Sequence, residues 1–180
     1  MTERGSLFLV LVSPVRLFGT LTPVLVALLL VIIANLPISF TGGLLPAPAL
    51  ALAAIYFWGL TRPGLMPPLA VLVIGFAEDL LSGGPPGLWA TGFLAAYILI
   101  DRQRKNLIEL NGAGHLIAFT GAMLLAGGAA YLLASAIYLR FVPLPPLLLE
   151  SVLTVLLYPL LDRPLHWADR SITRLLRSTG

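Results

Sequence analysis

Six apolar stretches, separated by short breaks, follow one another along almost the whole chain. A helix that crosses a membrane needs roughly 20 mostly apolar residues, within a range of about 17 to 25. Each stretch meets or nearly meets this length, and the breaks are rich in Gly, Pro, Ser and charged residues, which end helices or turn the chain. The pattern therefore predicts six membrane-spanning helices, over residues 17–37, 44–60, 64–81, 86–100, 112–139 and 144–161.

The composition points the same way. Of the 180 residues, 58% are hydrophobic and only 11% are charged, whereas a soluble domain of average composition has about 45 to 50% apolar and about 25% charged residues. A chain of this length also has no room for a soluble catalytic domain beside six spans. We therefore expect an all-α integral membrane protein whose function lies in the bilayer or in its short loops.

Positive charges indicate how the predicted spans are oriented. Cytoplasmic loops carry an excess of Lys and Arg, and of the 11 such residues only Arg140 falls on the other side when six spans alternate. This bias predicts that both termini lie in the cytoplasm. Because the cations stand in short clusters at the ends of apolar runs, they are typical of topology signals and lipid-headgroup contacts, and we expect no binding of nucleic acid.

The chain divides into a membrane domain, residues 1–162, and a cytoplasmic tail, residues 163–180. After Pro164, apolar residues from Leu165 to Leu175 repeat at helical spacing opposite a basic face. The pattern is typical of an amphipathic helix lying on the cytoplasmic leaflet. A helix that binds a partner protein would have the same pattern and remains the alternative.

Three acidic residues lie within predicted spans, where a charge is costly and often functional. Glu78 and Asp79 close the third span, and Glu150 lies roughly 9 Å inside the outer end of the sixth. Arg140 is the nearest cation in the predicted topology. The four residues predict an outer polar cluster, either a patch for partner binding or gating, or a structural lock between the third and sixth spans. Since neighbouring helix residues point about 100° apart, we expect Glu78 and Asp79 to face different ways, one of them toward the bundle.

Small residues recur at four-residue spacing in two of the spans. The fourth has Gly92 and Ala96, and the fifth has Ala126, Ala130 and Ala134. Such spacing lets helix backbones approach closely. We interpret these residues as packing positions within the chain, with a dimer interface as the alternative.

No catalytic or metal-binding group of residues is indicated. The chain has no Cys, which excludes disulfides, thiol catalysis and thiolate metal sites. His115 and His166 fall on the cytoplasmic side, across the membrane from the embedded carboxylates, so no relay forms between them. Residues 101–105 are interpreted as a solvated loop. The sequence thus predicts no enzyme activity, no cofactor and no metal.

A short motif spans the turn between the third and fourth predicted helices. It is Gly75-Phe-Ala-Glu-Asp79-Leu-Leu-Ser-Gly83-Gly-Pro-Pro-Gly87, and Pro159 stands late in the last span before a basic end. With six short spans and both termini inside, the chain resembles the rod shape-determining protein MreD family. Size and topology match over nearly the whole chain, while specific residues match only in this motif and near Pro159.

The resemblance implies a non-enzymatic inner-membrane subunit of the bacterial elongation machinery, which builds side-wall peptidoglycan and regulates rod shape. The implied partners are an MreC-type shape protein, an MreB-type actin homologue, a shape-related glycosyltransferase and penicillin-binding transpeptidase, and membrane lipids. The implied fold is similar to the six-helix substrate-binding subunits of energy-coupling-factor transporters. Taken together, the residues expected to bind partners or to form the structural motif are Gly75, Glu78, Asp79, Gly83, Gly87, Arg140, Glu150 and Pro159.

A second function is compatible with the same architecture, namely a small-solute binding subunit of a membrane transporter. It requires a pocket of polar and aromatic groups that opens to the outside. The candidate lining residues are Asn35, Tyr131, Glu150 and Glu78. Polar groups are sparse at mid-membrane, which counts against this alternative.

Overall fold

The computed structural model of the chain describes residues 14–36 and 46–177. Helices account for 85% of the structure, and within the described ranges there is no strand. Six α-helices follow one another there, in agreement with the number of predicted helical segments, and a short 3-10 turn, Pro63–Leu65, joins the second to the third. They are α1 (Pro14–Ala34), α2 (Leu50–Thr61), α3 (Pro68–Ser82), α4 (Leu88–Ile108), α5 (Gly112–Tyr138) and α6 (Leu144–Arg177).

Helix α2 forms the centre of the bundle. It contacts α1, α4, α5 and α6, and every residue from Leu50 to Leu60 is buried. Its sequence is apolar on all sides, and such a helix must be enclosed by other elements. These four helices are therefore arranged around α2, and their inward faces complete the core, while α3 packs against α1 and α4.

The outward faces of the surrounding helices are also apolar. Helix α5, and the part of α6 from Leu144 to Ser171, are long and apolar enough to cross a membrane, whereas the apolar parts of α1 and α2 are shorter. Soluble monomers rarely expose large contiguous apolar patches, so this surface is consistent with a membrane protein. Examples of strongly exposed side chains are Leu29, Leu69, Ile117, Leu124, Leu132, Leu156 and Leu160.

Helix boundaries differ from the predicted ones near the middle of the chain. The second predicted segment starts at residue 44, and residues 44 and 45 lie outside the described ranges; α2 starts at Leu50, because Pro48 favours extended backbone in Ala47. Helix α4 continues to Ile108. Residues 101–105, interpreted as a loop, are therefore helical; the side chains of Asp101, Arg102 and Lys105 are exposed, whereas Arg104 is half-buried.

Helix α6 continues through the expected boundary at residue 162. The sequence predicts a tail helix after Pro164 that is distinct from the sixth span, and a proline within a helix removes one backbone hydrogen bond. Two contacts after Pro164 hold the continuous helix in place: Leu165 is buried in the core, and Asp169 accepts two hydrogen bonds from the Arg62 guanidinium, at 2.5 and 3.1 Å. The first part of the tail is thus held against the end of α2.

Close helix contacts depend on small residues. A Cβ atom added at Gly92 would lie 2.6 Å from the carbonyl oxygen of Ala126, which leaves no space for a side chain between α4 and α5. Ala126, Ala130 and Ala134 are buried in α5, as Ala96 is in α4. These contacts confirm the interpretation that the four-residue spacing serves packing within the chain.

Candidate functional site

The carboxylate of Asp79 caps the helix that follows its own. Asp79 is only 1% exposed, and it accepts hydrogen bonds from the backbone N–H groups of Gly87 (2.8 Å) and Trp89 (2.7 Å), with the N–H of Ala90 at 3.4 Å. Gly87 is the N-cap of α4 and has no side chain to fill that role. The first N–H groups of a helix lack partners within it. Asp79 therefore supplies, from α3, the cap that α4 lacks.

Two glycines in the left-handed region shape the connection between α3 and α4. Gly83 ends α3 with φ +71°, and Gly87 starts α4 with φ +98°. Other residues rarely adopt this conformation. Pro85 and Pro86 have no N–H groups and so leave no donors to satisfy. The result is a short, closed turn with the Asp79 carboxylate behind it.

Gly75 brings the two helices close enough for this capping. A Cβ atom at Gly75 would lie 2.3 Å from the Cα of Ala90 and 2.7 Å from its nitrogen, so the backbones of α3 and α4 touch here. Gly75 stands one turn before Asp79 on the same helix face. Four motif residues thus act as one unit. It consists of the close helix crossing at Gly75, the carboxylate cap of Asp79 and the turn glycines Gly83 and Gly87.

Glu78 faces the interior of the bundle. It is 1% exposed, and its Oε1 accepts a hydrogen bond from Asn35 Nδ2 at 2.9 Å. Its Oε2 is buried and has no hydrogen-bond partner in the described part of the chain. Glu150 of α6 lies near enough for like-charge repulsion from Glu78. Asn35, directly after the end of α1, and Glu78 of α3 therefore form a polar contact at the edge of an otherwise apolar core.

The four residues of the expected outer cluster do not come together in one place. Asp79 faces the turn, whereas Glu78 faces the bundle and Glu150. Arg140 is exposed and lies over the ring of Tyr138, 5.9 Å from its centroid. Among the described residues it forms no ion pair with any of the three acids. The expected cluster is thus two separate polar sites, and Arg140 is part of neither.

A second site, which the sequence analysis missed, lies at the opposite end of the bundle. It is a cavity of about 690 Å³ between α2, α5 and α6, with Ile108 at the end of α4 also in its lining. Its size falls within the roughly 300 to 1,000 Å³ typical of small-molecule sites. Pro159, expected as a motif residue, lines it. The chemically distinctive lining residues are Tyr56, Phe57, His115, Tyr158, Asp162 and His166.

Aromatic contacts hold the walls of this cavity. The rings of Phe119 and Tyr158 stack with centroids 4.1 Å apart, and Tyr56 packs edge-on against both. The Tyr56 hydroxyl lies 3.3 Å from the carbonyl oxygen of His115, to which it donates. The Tyr158 hydroxyl makes no hydrogen bond within residues 14–36 and 46–177. The cavity wall that contains Tyr158 thus presents a hydroxyl group without a hydrogen-bond partner among the described residues.

The cavity was missed because its residues are far apart in the sequence. His115 and His166 were both expected on the cytoplasmic side, which was the only available signal. Asp162 lies 3.6 Å from His166 Nε2 and was not weighed, because it stands near the end of an apolar run. Within the described ranges, no group of three or more His, Asp or Glu side chains is arranged to hold a metal ion.

Comparisons with protein-family models, curated proteins and solved structures find no match for this chain. Its function is therefore argued from the capped turn and the cavity themselves.

Proposed function

We propose that the chain is a non-enzymatic scaffold of the bacterial inner membrane that works in the cell-wall elongation machinery. It binds an MreC-type shape protein and, through it or directly, the MreB-type actin homologue and the wall-building glycosyltransferase and transpeptidase. The capped turn between α3 and α4 supports this proposal. The motif residues that suggest the MreD family are those that build this turn.

The geometry of the turn suits recognition. Asp79 and Gly75 are fully engaged inside the protein, so they hold the turn and do not themselves touch a partner. Next to them, Leu80 and Leu81 are 78% and 52% exposed. A surface held in one conformation loses little entropy on binding. We therefore assign the contact with the partner to the exposed rim of the turn and the positioning of that rim to Asp79.

The charge distribution supports six spans with both termini in the cytoplasm. At one end of the bundle Arg104 Nε donates to the carbonyl oxygen of Leu60 at 2.8 Å, and Arg62 pairs with Asp169. Arg140 stands at the other end, where α5 turns into α6. Helix α2 has 12 residues, about 18 Å, which is short for a bilayer, but its enclosure by other helices removes it from contact with lipid. The proposed arrangement is similar to the six-helix substrate-binding subunits of energy-coupling-factor transporters.

Affinity purification from bacterial membranes in mild detergent tests the scaffold function. We expect an MreC-type protein to co-purify with the wild-type chain, and depletion of the chain to make rod-shaped cells round. Asp79→Asn should lower the yield of partner without preventing membrane insertion. Glu109→Gln, at an exposed position, removes one carboxylate elsewhere and should leave the yield unchanged. Cells that keep their rod shape on depletion, with no wall-synthesis protein recovered, would refute the proposal.

The cavity favours a second candidate function, a small-solute binding subunit of a transporter. The site differs from the expected one, since Asn35, Tyr131, Glu150 and Glu78 do not line this cavity. Isothermal titration of the purified protein with a panel of vitamins distinguishes the two functions. Binding of one vitamin would favour transport, and a uniformly negative panel would count against it.

A further inference from the structure

We propose that the cavity between α2, α5 and α6, together with the adjoining basic face of α6, binds a phosphate-terminated lipid. The apolar chain occupies the cavity, and the phosphate lies on Arg163 and Arg170. This inference rests on the proposed membrane location, but it is independent of the role in cell-wall elongation.

The cavity wall is suited to an apolar chain. Leu60, Ile108 and Leu116 line it beside the aromatic rings, and the stacked pair Phe119 and Tyr158 makes that wall rigid. Burying an alkyl chain against such a surface is favourable by about 0.8 kcal/mol per CH₂ group. Polar groups such as the Tyr158 hydroxyl and the Asp162 carboxylate stand among this apolar surface, so a fully polar solute would still lose hydration against most of the wall.

A basic cleft shares the lining residue His166 with the cavity. This smaller cleft, of about 260 Å³, is lined by Arg163, His166, Trp167 and Arg170, and His166 lines the large cavity as well. The cleft residues lie at three- and four-residue spacing and therefore share one face of α6. A molecule with an apolar end and a charged end can thus occupy both spaces at once.

The charges of the cleft suit an anion. Within the described residues neither Arg163 nor Arg170 forms an ion pair, whereas Asp169 is paired with Arg62 and Asp162 lies 3.6 Å from His166. A guanidinium group matches a phosphate with two parallel hydrogen bonds. Trp167 is 73% exposed on the same face, as expected of an aromatic residue at the level of lipid headgroups.

Native mass spectrometry of the delipidated full chain in detergent tests this proposal with three probes. Dioleoyl phosphatidic acid has both parts of the ligand, dioleoylglycerol has the chains alone, and glycerol 3-phosphate has the phosphate alone. We expect the first to bind at least about tenfold more tightly than either of the others. Equal binding of dioleoylglycerol would show that the arginines are not used, and equal binding of glycerol 3-phosphate that the cavity is not used. Either result would overturn the proposal.

Two variants separate the parts of the site. Arg163→Gln with Arg170→Gln should weaken phosphatidic acid binding about tenfold. The control is Arg102→Gln with Lys105→Gln, which removes two exposed charges from α4 and should change binding little. Gly112→Leu should keep the alkyl chain of the lipid out of the cavity, because Gly112 lines it. The protein should tolerate this substitution, since a Cβ added at Gly112 meets no atom within 4 Å. Equal weakening by the control pair, or full binding by Gly112→Leu, would contradict the assignment.

Discussion

The carboxylate of Asp79 lies 2.7 Å from the backbone nitrogen of Trp89, so that the end of α3 caps the start of α4. The contact joins two consecutive helices across a turn that has left-handed glycines at both ends. A helix usually obtains its cap from its own N-cap residue. Here Gly87 provides the backbone conformation and Asp79 provides the acceptor, and neither is sufficient without the other.

Loss of this cap should destabilise the protein measurably. Asp79→Ala leaves buried N–H groups of Trp89 and Ala90 without acceptors, and we expect a loss of about 1 to 3 kcal/mol in the free energy of unfolding. Asp79→Asn keeps one acceptor oxygen, so its free energy of unfolding should fall by less. Thermal unfolding in detergent measures the stability of both variants. Hydrogen exchange of the Trp89 backbone amide should become faster in Asp79→Ala. Asp101→Ala, at an exposed position, serves as the control. Unchanged stability and exchange in Asp79→Ala would show that water or another group satisfies these amides.

Adding a single methyl group at Gly75 should have a comparable effect. In Gly75→Ala the new carbon would lie 2.3 Å from the Cα of Ala90, so α3 and α4 must move apart. The Asp79 carboxylate would then no longer reach the N–H groups at the start of α4. Overpacking of this kind costs about 1 to 3 kcal/mol. Gly121→Ala is the matched control, since its Cβ meets no atom within 4 Å and helix propensity favours alanine. If both variants unfold at the wild-type temperature, the close crossing is not needed.

The sequence predicted the helices better than it predicted their contacts. Run lengths of apolar residues locate α5 almost to the residue, because length and hydrophobicity are local properties. The capping role of Asp79 depends on how closely Gly75 lets α4 approach, and that distance is a property of the packed bundle. The sequence left open whether Asp79 belongs to a partner-binding patch or to a lock between the third and sixth spans, and in the structure it caps the neighbouring α4.

The cavity and the course of α6 were not predicted for related reasons. Tyr56, His115 and Tyr158 belong to three different helices, and no spacing along the chain connects them. The tail helix after Pro164 was predicted as distinct from the sixth span, although a proline within a helix removes only one backbone hydrogen bond. Burial of Leu165 and the pairing of Asp169 accompany a single continuous helix, and both depend on where the end of α2 lies.

Neutralising Glu78 should stabilise the protein. Glu78→Gln keeps an oxygen for Asn35 Nδ2, removes a buried negative charge and ends the repulsion with Glu150. We expect a gain of about 1 kcal/mol in the free energy of unfolding at an alkaline pH at which both carboxyls are ionised. Either of Glu78→Gln and Glu150→Gln relieves the repulsion, so the double variant should gain less than the sum of the two. A loss of stability in Glu78→Gln would show that its second oxygen has a partner of its own.

The pairing of Arg62 with Asp169 should keep the last part of α6 against the bundle. Asp169→Asn removes half of a bidentate contact between side chains that are only 26% and 21% exposed, so amide exchange in residues 165–171 should rise severalfold. The loss in global stability should be small, below about 1 kcal/mol, because the pair is partly solvated. The exchanged pair, Arg62→Asp with Asp169→Arg, should restore protection, since the charges still attract one another. Asp162→Asn, whose His166 partner is exposed, is the control and should leave exchange near the wild-type rate. If Asp169→Asn exchanges no faster than this control, then burial of Leu165 alone holds the helix, and the ion pair has no part in continuing α6 past Pro164.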